Sequence, residues 1–386
     1  MSAIIWLSAD TLTWSQGGGH LWPYLNWALG LRALGCEVIW LESVDPGTDL
    51  SEVQPLVLAL KSSLERYGLA DSVALCSRTG DPLPGGEEAG CVDIESAADA
   101  DLLLNVISYV SQEVLDRFRR TALLDIDPGL TQIWMSEGVS TLPSHDVYFT
   151  IGETVGRAGT KVPDGGLTWE YTPPCVALDW WPRCPARDGA PFTTVSTWES
   201  SDYWVTYGDE SYPNSKRDGF LPFLDLPKQT TQSLELALCL AADEQLHLTS
   251  HEHEERVALE ERGWRVVHSY AVASTPWDYQ SYIQGSRGEF SCAKPSYVRF
   301  QDAWISDRTL CYLASGKPAV VQHTGPSRSL PDAAGLFRFR DVPEAVKCLE
   351  AVAADYERQC RLARALAEEF FDAETVVRRV LERALS

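Results

Sequence analysis

Apolar residues in this chain fall into short continuous runs, and amphipathic stretches separate the runs with some regularity. The run from Ala3 to Leu7 predicts a buried first strand, and the polar loop SADTLTWSQGGGH follows it. A helix is predicted to begin near His20, with Leu21, Leu25, Ala28 and Leu29 on one face and a stop at Leu34-Gly35. A second strand is expected over Glu37 to Leu41. Leu56, Leu60 and Leu64 then mark an amphipathic helix between Glu52 and Tyr67. Further strands are predicted from Ser72 to Cys76, Leu102 to Ile107, Thr121 to Ile126 and Asp146 to Ile151. Short helices are expected from Ser111 to Phe118 and from Thr131 to Glu137, and a Gly/Pro/acidic surface loop from Ser77 to Gly90. Unbroken apolar strands suit a parallel sheet covered on both faces. Strand–helix alternation is the mark of a doubly wound α/β domain.

The pattern repeats in the second half. Tyr171 to Arg187 is rich in Pro, Cys and Trp and reads as a linker. Phe192 to Ser196 opens a new strand. A polar, aromatic loop is expected over Tyr203 to Phe223. After it come a helix over Ser233–Leu240, a strand over Gln245–Thr249, a helix over Glu254–Arg262, a strand over Arg265–Val267 and a helix over Pro276–Ile283. Past Pro343 three helices are expected, Glu344–Tyr356, Cys360–Phe371 and Glu374–Leu385. The expected organisation is two β/α/β domains, residues 1–180 and 181–364, with residues 365–386 as a final helix.

The stretch GEFSCAKPSYVRFQDAWISDRTLCYLASGKPAVVQHTG, residues 288 to 325, reads as strand, loop, helix, turn, strand. Ser306 stands at a helix start and Asp307 adds negative charge to its first turn. Leu310, Leu313 and Ala314 form the apolar stripe, Gly316 stops the helix, and Pro318 prevents its continuation. In an open parallel sheet ligands sit beyond the carboxyl ends of the strands, near helix N-termini. That rule gathers Glu289, Lys294, Ser306, Asp307, Arg308, Thr324 and Gly325 around one crevice. Thr197, just past the strand at Phe192, and Lys216 of the basic pair Lys216-Arg217 are expected to join it. The plainer reading makes Arg308 an ion-pair partner and Lys216-Arg217 a solvated loop.

In the first half the loop glycines Gly17, Gly18 and Gly19 are adjacent, so the G-x-G-x-x-G dinucleotide fingerprint is absent and a nicotinamide-dependent oxidoreductase is disfavoured. LLDIDPGLTQIW brings Asp125 and Asp127 to a strand's carboxyl end. There they can meet a ligand or, more plainly, open the turn at Pro128-Gly129.

The segment YLASGKPAVVQHTG resembles the donor-nucleotide half of GT-B glycosyltransferases, and GGGHLWPYLNWALGLRALGCEVIWLE resembles their opening strand, Gly-His-x-x-Pro loop and helix. Cys311 departs from the pattern, standing where many retaining members carry a glutamate. The resemblance implies two Rossmann-like domains facing a cleft, with a C-terminal helix returning to the first. It also implies a nucleotide-sugar donor, UDP- or dTDP-linked, a small-molecule or glycan acceptor bound by the first domain, and no cofactor or obligatory metal. In inverting members the histidine of the first loop is the general base and an aspartate from a later strand holds it. His20 and Asp127 match those places, with Gly18, Gly19, Trp22 and Asp125 on the acceptor side. His20 as a helix cap is the structural alternative.

Composition changes the picture in few ways. The chain has 386 residues and a net charge of −23, which disfavours nucleic acid and anionic membranes as partners. Its ten cysteines show no C-x-x-C pair, and His251-Glu252-His253 lacks the spacing of a helical zinc pair. Reduced thiols, a cytoplasmic location, no transmembrane segment and a monomer or homodimer are the corresponding expectations. Five of the 14 tryptophans precede Leu41, as core or as pocket lining. Two other functions fit the same pattern. One is a nucleotide-sugar epimerase, which forms product without an acceptor. The other is a non-catalytic two-lobed sugar-binding protein, which binds free sugar without nucleotide.

Overall fold

The computed structural model describes residues 3–14, 16–81, 90–106, 110–198, 204–241 and 247–386. Ile107, the loop residues 82–89, Tyr203 and Gln245 all belong to expectations above that fall outside the described residues. The chain divides into two compact units. Residues 1–158, 162–177 and 371–386 form one, and residues 159–161 and 178–370 form the other. Residue 365, the expected start of the final helix, lies inside a helix of the second unit, and the chain returns to the first unit at Phe371.

Unit 1 is built on β1 (Ile4–Ala9), β2 (Glu37–Val44), β3 (Val73–Ser77), β4 (Leu102–Asn105), β5 (Thr121–Asp125), β6 (Val147–Thr150) and β7 (Trp169–Tyr171). All are parallel, in the order β3-β2-β1-β4-β5-β6-β7. The direction of winding reverses between β1 and β4, so a crevice opens at Ala9 and Asn105. Helices α1 (Gly18–Ala33), α2 (Leu50–Glu65), α3 (Gln112–Leu115) and α4 (Leu130–Ser136) connect the strands.

Helix α1 is buried on nearly every side, not on one face, with Trp22, Leu25, Trp27 and Leu31 each at most 1% exposed. The reason is a second neighbour, the C-terminal helix (Ala373–Ala384). Gly30 makes that packing possible, since a Cβ there would lie 2.8 Å from Val377. The chain enters this helix through paired backbone bonds, Val176 N–H to Phe371 O (2.8 Å) and Ala373 N–H to Val176 O (3.0 Å).

Unit 2 repeats the plan. Its parallel sheet consists of β8 (Phe192–Thr197), β11 (Leu234–Cys239), β12 (Arg265–His268), β13 (Gly288–Ser291), β14 (Ala319–Gln322) and β15 (Leu336–Phe339), in the order β12-β11-β8-β13-β14-β15. An antiparallel hairpin, β9 (Trp204–Tyr207) and β10 (Glu210–Pro213), follows β8 where a polar loop is expected. The helices are α5 (Lys216–Phe220), α6 (Ser250–Glu260), α7 (Ser269–Ala273), α8 (Pro276–Gly285), α9 (Pro295–Phe300), α10 (Asp307–Ala314), α11 (Val342–Ala354) and α12 (Tyr356–Phe370). Phe220, Phe290, Phe339 and Trp264 pack ring to ring beneath the sheet, with Phe290 and Phe339 stacked at 5.2 Å.

The helix expected over Ser233–Leu240 is strand β11. Leu and Glu favour helices intrinsically, but Leu234, Leu236 and Leu238 fill one side while Glu235 finds Arg265 and Tyr282 on the other. Tertiary partners override the propensity. His247–Thr249, the described part of the next expected strand, makes a single β-bridge at Leu248 before α6 begins. None of the ten cysteines is in a disulfide.

Candidate functional site

In unit 2 the winding reverses between β8 and β13, and these strands pair over only two residues, Gly288 with Phe192 and Glu289 with Thr193. Beyond that point they part, and Arg308 from the first turn of α10 fills the gap. Its guanidinium donates to Glu289 Oε1 (2.8 Å), to the Val195 carbonyl (3.1 Å) and to Ser291 Oγ (2.7 Å). A side chain therefore takes over hydrogen bonds that a ladder would have made. Glu289 is fully buried and the Arg308 side chain 13% exposed. This corrects two expectations. Glu289 lies within the strand, under Arg308, and does not line the crevice. Arg308 is spent on internal partners, so it is a positioning residue and not an open phosphate clamp.

Lys216, the first residue of α5, is 6% exposed and donates to the Cys292 carbonyl and, at 3.4 Å, to Ser291 Oγ. Burial, reinforced by the nearby Arg308 charge, lowers its ammonium pKa to about 7. Its helix presses directly on the loop after β13, because a Cβ on Gly219 would lie 2.0 Å from the Ala293 carbonyl oxygen. Lys294 takes the N-cap position of α9 and is half-buried. Ser306 takes the N-cap position of α10, but its hydroxyl makes no cap bond. Thr197 ends β8 and is exposed. Thus Thr197, Lys216, Lys294, Ser306 and Asp307 gather at the carboxyl ends of the strands.

The connection from α9 to α10 carries a feature with no sequence signal. Gln301 and Ala303 hold φ of 54° and 61°, left-handed conformations that non-glycine residues rarely adopt. Three contacts hold the loop in this form. Thr324 Oγ1 donates to the Trp304 carbonyl (2.6 Å), Ala303 N–H donates to the Thr324 carbonyl (2.9 Å), and Tyr297 and Trp304 stack at 4.0 Å. Gly325 is required beside it, since a Cβ would lie 2.4 Å from the Gln301 carbonyl oxygen. Thr324 and Gly325 therefore shape the loop in front of α10, and Thr324 spends its hydroxyl doing so.

In unit 1 the loop after β1 is anchored by Glu42, a residue the sequence reading missed. Its buried carboxylate accepts from Thr11 N–H (3.0 Å), Leu12 N–H (3.4 Å), the Thr11 hydroxyl and Trp40 Nε1 (2.8 Å). His20, in the first turn of α1, donates Nε2–H to the Asp10 carbonyl at 2.8 Å. Burial lowers its pKa, and the Asp10 carbonyl and carboxylate offset part of the effect. The ring also contacts Trp14 (5.1 Å), which is 47% exposed, and Tyr24 (5.7 Å).

The expected His20–Asp127 pairing is thus replaced by a backbone partner. Asp127 N–H donates to Asp125 Oδ1 (3.2 Å), so the aspartate side chain that opens this turn is Asp125, and the Asp127 carbonyl accepts from Thr131 Oγ1 (3.4 Å). Asp125 is 4% exposed and occupied by Gln132, Thr131 and Thr150 at 2.7 to 2.9 Å, so it holds the turn and is no acceptor contact. Trp22, at 1% exposure against Tyr67, is core. Gly18 is buried and Gly19 half-buried at the helix start. At the crevice itself Ser8 donates to Asn105 Oδ1 (2.6 Å), and Asn105 Nδ2 donates to His145 Nε2 (3.0 Å). His145 Nδ1–H donates to the Pro143 carbonyl (2.8 Å). Burial lowers the His145 pKa to about 4.

Among the described residues no group of three or more His, Cys, Asp or Glu side chains is arranged to hold a metal ion. No helix among them is long and apolar enough to cross a membrane.

Two parallel Rossmann-type units and a C-terminal helix that completes the first define the GT-B fold. Solved structures share it over nearly the whole chain. An alpha-glucosyltransferase in complex with UDP and a 13-mer DNA matches with a TM-score of 0.61 at 12% identity, covering 100% of both chains. Anabaena Alr3699/HepE in complex with UDP-glucose matches with 0.58 at 13%, covering 98% of each. Sucrose-phosphate synthase from Thermosynechococcus elongatus matches with 0.52 at 11%, covering 99% of this chain and 98% of that one. No family model and no curated protein matches the sequence.

Proposed function

We propose that this chain is a glycosyltransferase that moves a sugar from a UDP- or dTDP-linked donor to a hydroxyl or amine of a small-molecule or glycan acceptor. The observation that carries the reading is the crevice of unit 2. Lys294 and the α10 start, without a Ser306 side-chain cap, meet at a switch point, in a fold that includes neighbours solved with UDP or UDP-glucose. The net charge of −23 argues against binding DNA, with which one neighbour was solved.

In the proposed reaction the acceptor oxygen or nitrogen bonds to the anomeric carbon as the carbon–oxygen bond to the diphosphate breaks. The diphosphate leaves with the electron pair. Lys294 and the N-terminal amides of α10 neutralise the charge it gains, and Lys216, buried against the Cys292 carbonyl, holds the loop that carries Lys294. The acceptor's proton goes to His20 Nδ1. That nitrogen carries the lone pair because Nε2–H is committed to the Asp10 carbonyl. A carbonyl fixes the tautomer as a carboxylate would, though it stabilises the imidazolium less. No metal is required in this scheme, so EDTA should leave turnover unchanged.

Thermal shift with nucleoside diphosphates tests the donor assignment. UDP or dTDP at a hundredfold its dissociation constant should stabilise the protein by about 2.7 kcal/mol. No shift with any nucleoside diphosphate would overturn it. A second reading keeps the transfer but retains the anomeric configuration, with His20 contacting substrate and taking no proton. The missing carboxylate on His20 and the alpha-glucosyltransferase neighbour favour it. The anomeric coupling in the product's NMR spectrum separates the two.

A further inference from the structure

The β9–β10 hairpin lies against α9, and a cavity of about 470 Å³ opens there. It is lined by Lys161, Tyr207, Glu210, Tyr212, Arg299 and Phe300, on the part of α9 far from Lys294. Its volume falls in the roughly 300–1,000 Å³ range of small-ligand pockets.

The walls are built. Tyr207 packs edge-on against Phe300 at 5.9 Å. The Arg299 guanidinium lies 4.1 Å from the centre of the Tyr212 ring and pairs with Glu210 at 2.5 Å. The charges around the cavity do not cancel. Glu210 matches Arg299, and the Lys161 ammonium remains, in a chain whose net charge is −23.

We propose that this cavity binds a saccharide carrying an anionic group. Aromatic rings suit the C–H faces of a sugar. The Arg299–Glu210 pair suits its hydroxyls, and Lys161 suits a carboxylate or phosphate. The inference does not rest on donor binding at the strand ends.

Calorimetric titration of the full chain tests it, with glucuronic acid, glucose and inorganic phosphate as probes, each with and without saturating UDP. Glucuronic acid should bind at least about fivefold more tightly than glucose, and UDP should not displace it. Lys161→Ala should reduce the difference between the two sugars to less than about twofold. Tyr207→Ala, which removes a wall of the cavity, should weaken both. Absence of glucuronic acid binding, or equal affinity in Lys161→Ala and wild type, overturns the proposal. So does phosphate binding as tightly as glucuronic acid, which would make the cavity a plain anion site. Displacement by UDP would place the sugar at the strand ends and also overturn it. Absence of any UDP effect would refute the donor assignment alone.

Discussion

Replacing Arg308 with Met should destabilise unit 2 whether or not a ligand is present. The substitution keeps an unbranched side chain of similar reach but removes the guanidinium. Glu289 is then left fully buried and charged without its partner, and the Val195 carbonyl and Ser291 hydroxyl lose a donor. Breaking a buried ion pair from one side costs about 3–5 kcal/mol. Both side chains are nearly or fully buried, so water does little to reduce that figure. For a unit of this size, 1 kcal/mol moves the melting temperature by about 2–4 °C. The expected fall is therefore roughly 6–20 °C in the unit 2 transition. Scanning calorimetry is the suitable assay, because two units need not melt together. A Glu289→Leu/Arg308→Met double variant removes both charges and should recover at least half of the loss. The reasoning fails if Arg308→Met melts within about 2 °C of wild type while UDP affinity falls sharply. Arg308 would then act on a bound phosphate and not on the sheet.

Three further outcomes are expected. His20→Ala should lower turnover of UDP-glucose with an accepted acceptor by about 10²-fold or more while donor affinity stays within twofold, measured by coupled assay and calorimetry. Because burial lowers the His20 pKa, wild-type rate should rise through a pKa below 6.5 and stay flat above it; a rate independent of pH and of His20 removes the base. His145 has a folded pKa of about 4 against an unfolded value near 6.5, so its neutral form's contribution is present above pH 6.5 and is lost as pH falls toward 4. Denaturant melts should show a decline of ~3 kcal/mol from this group over that window, and His145→Gln should flatten it; parallel curves would contradict the assignment. Gly219→Ala should push the 292–294 loop away from α5 and weaken UDP binding by about tenfold, and unchanged affinity by calorimetry would show that the loop does not form the donor site.

Much of the architecture was legible because buried parallel strands are continuous apolar runs. IIWLSA and LLLN are such runs, and Gly316 and Pro318 follow the end of α10 as expected. Strand β11 was not legible. LELALC is composed of helix formers, and only Arg265 and Tyr282, contributed from elsewhere in the chain, make Glu235 tolerable in a sheet. The site was legible to the level of strand ends and no further. Asp125 and Asp127 occupy the expected positions, yet Gln132, Thr131 and Thr150 surround Asp125, and those contacts are set by the fold. Arg308 was singled out for its place at a helix start, but its partners depend on how soon β8 and β13 part. Glu42 and the left-handed Gln301 and Ala303 leave no local signature at all, because each is imposed by distant neighbours.

The return of residues 371–386 to unit 1 has a consequence for how the chain is made. Unit 2 lacks only a three-residue piece of being one continuous stretch, 178–370, and can close as soon as that stretch leaves the ribosome. Unit 1 emerges first, with all seven of its strands, but α1 stays without its outer cover until Ala373–Ala384 has been synthesised. Vectorial synthesis therefore reverses the order in which the units mature: the half made first is finished last, holding Gly30 and the α1 surface around it in waiting while the whole of the other half is translated.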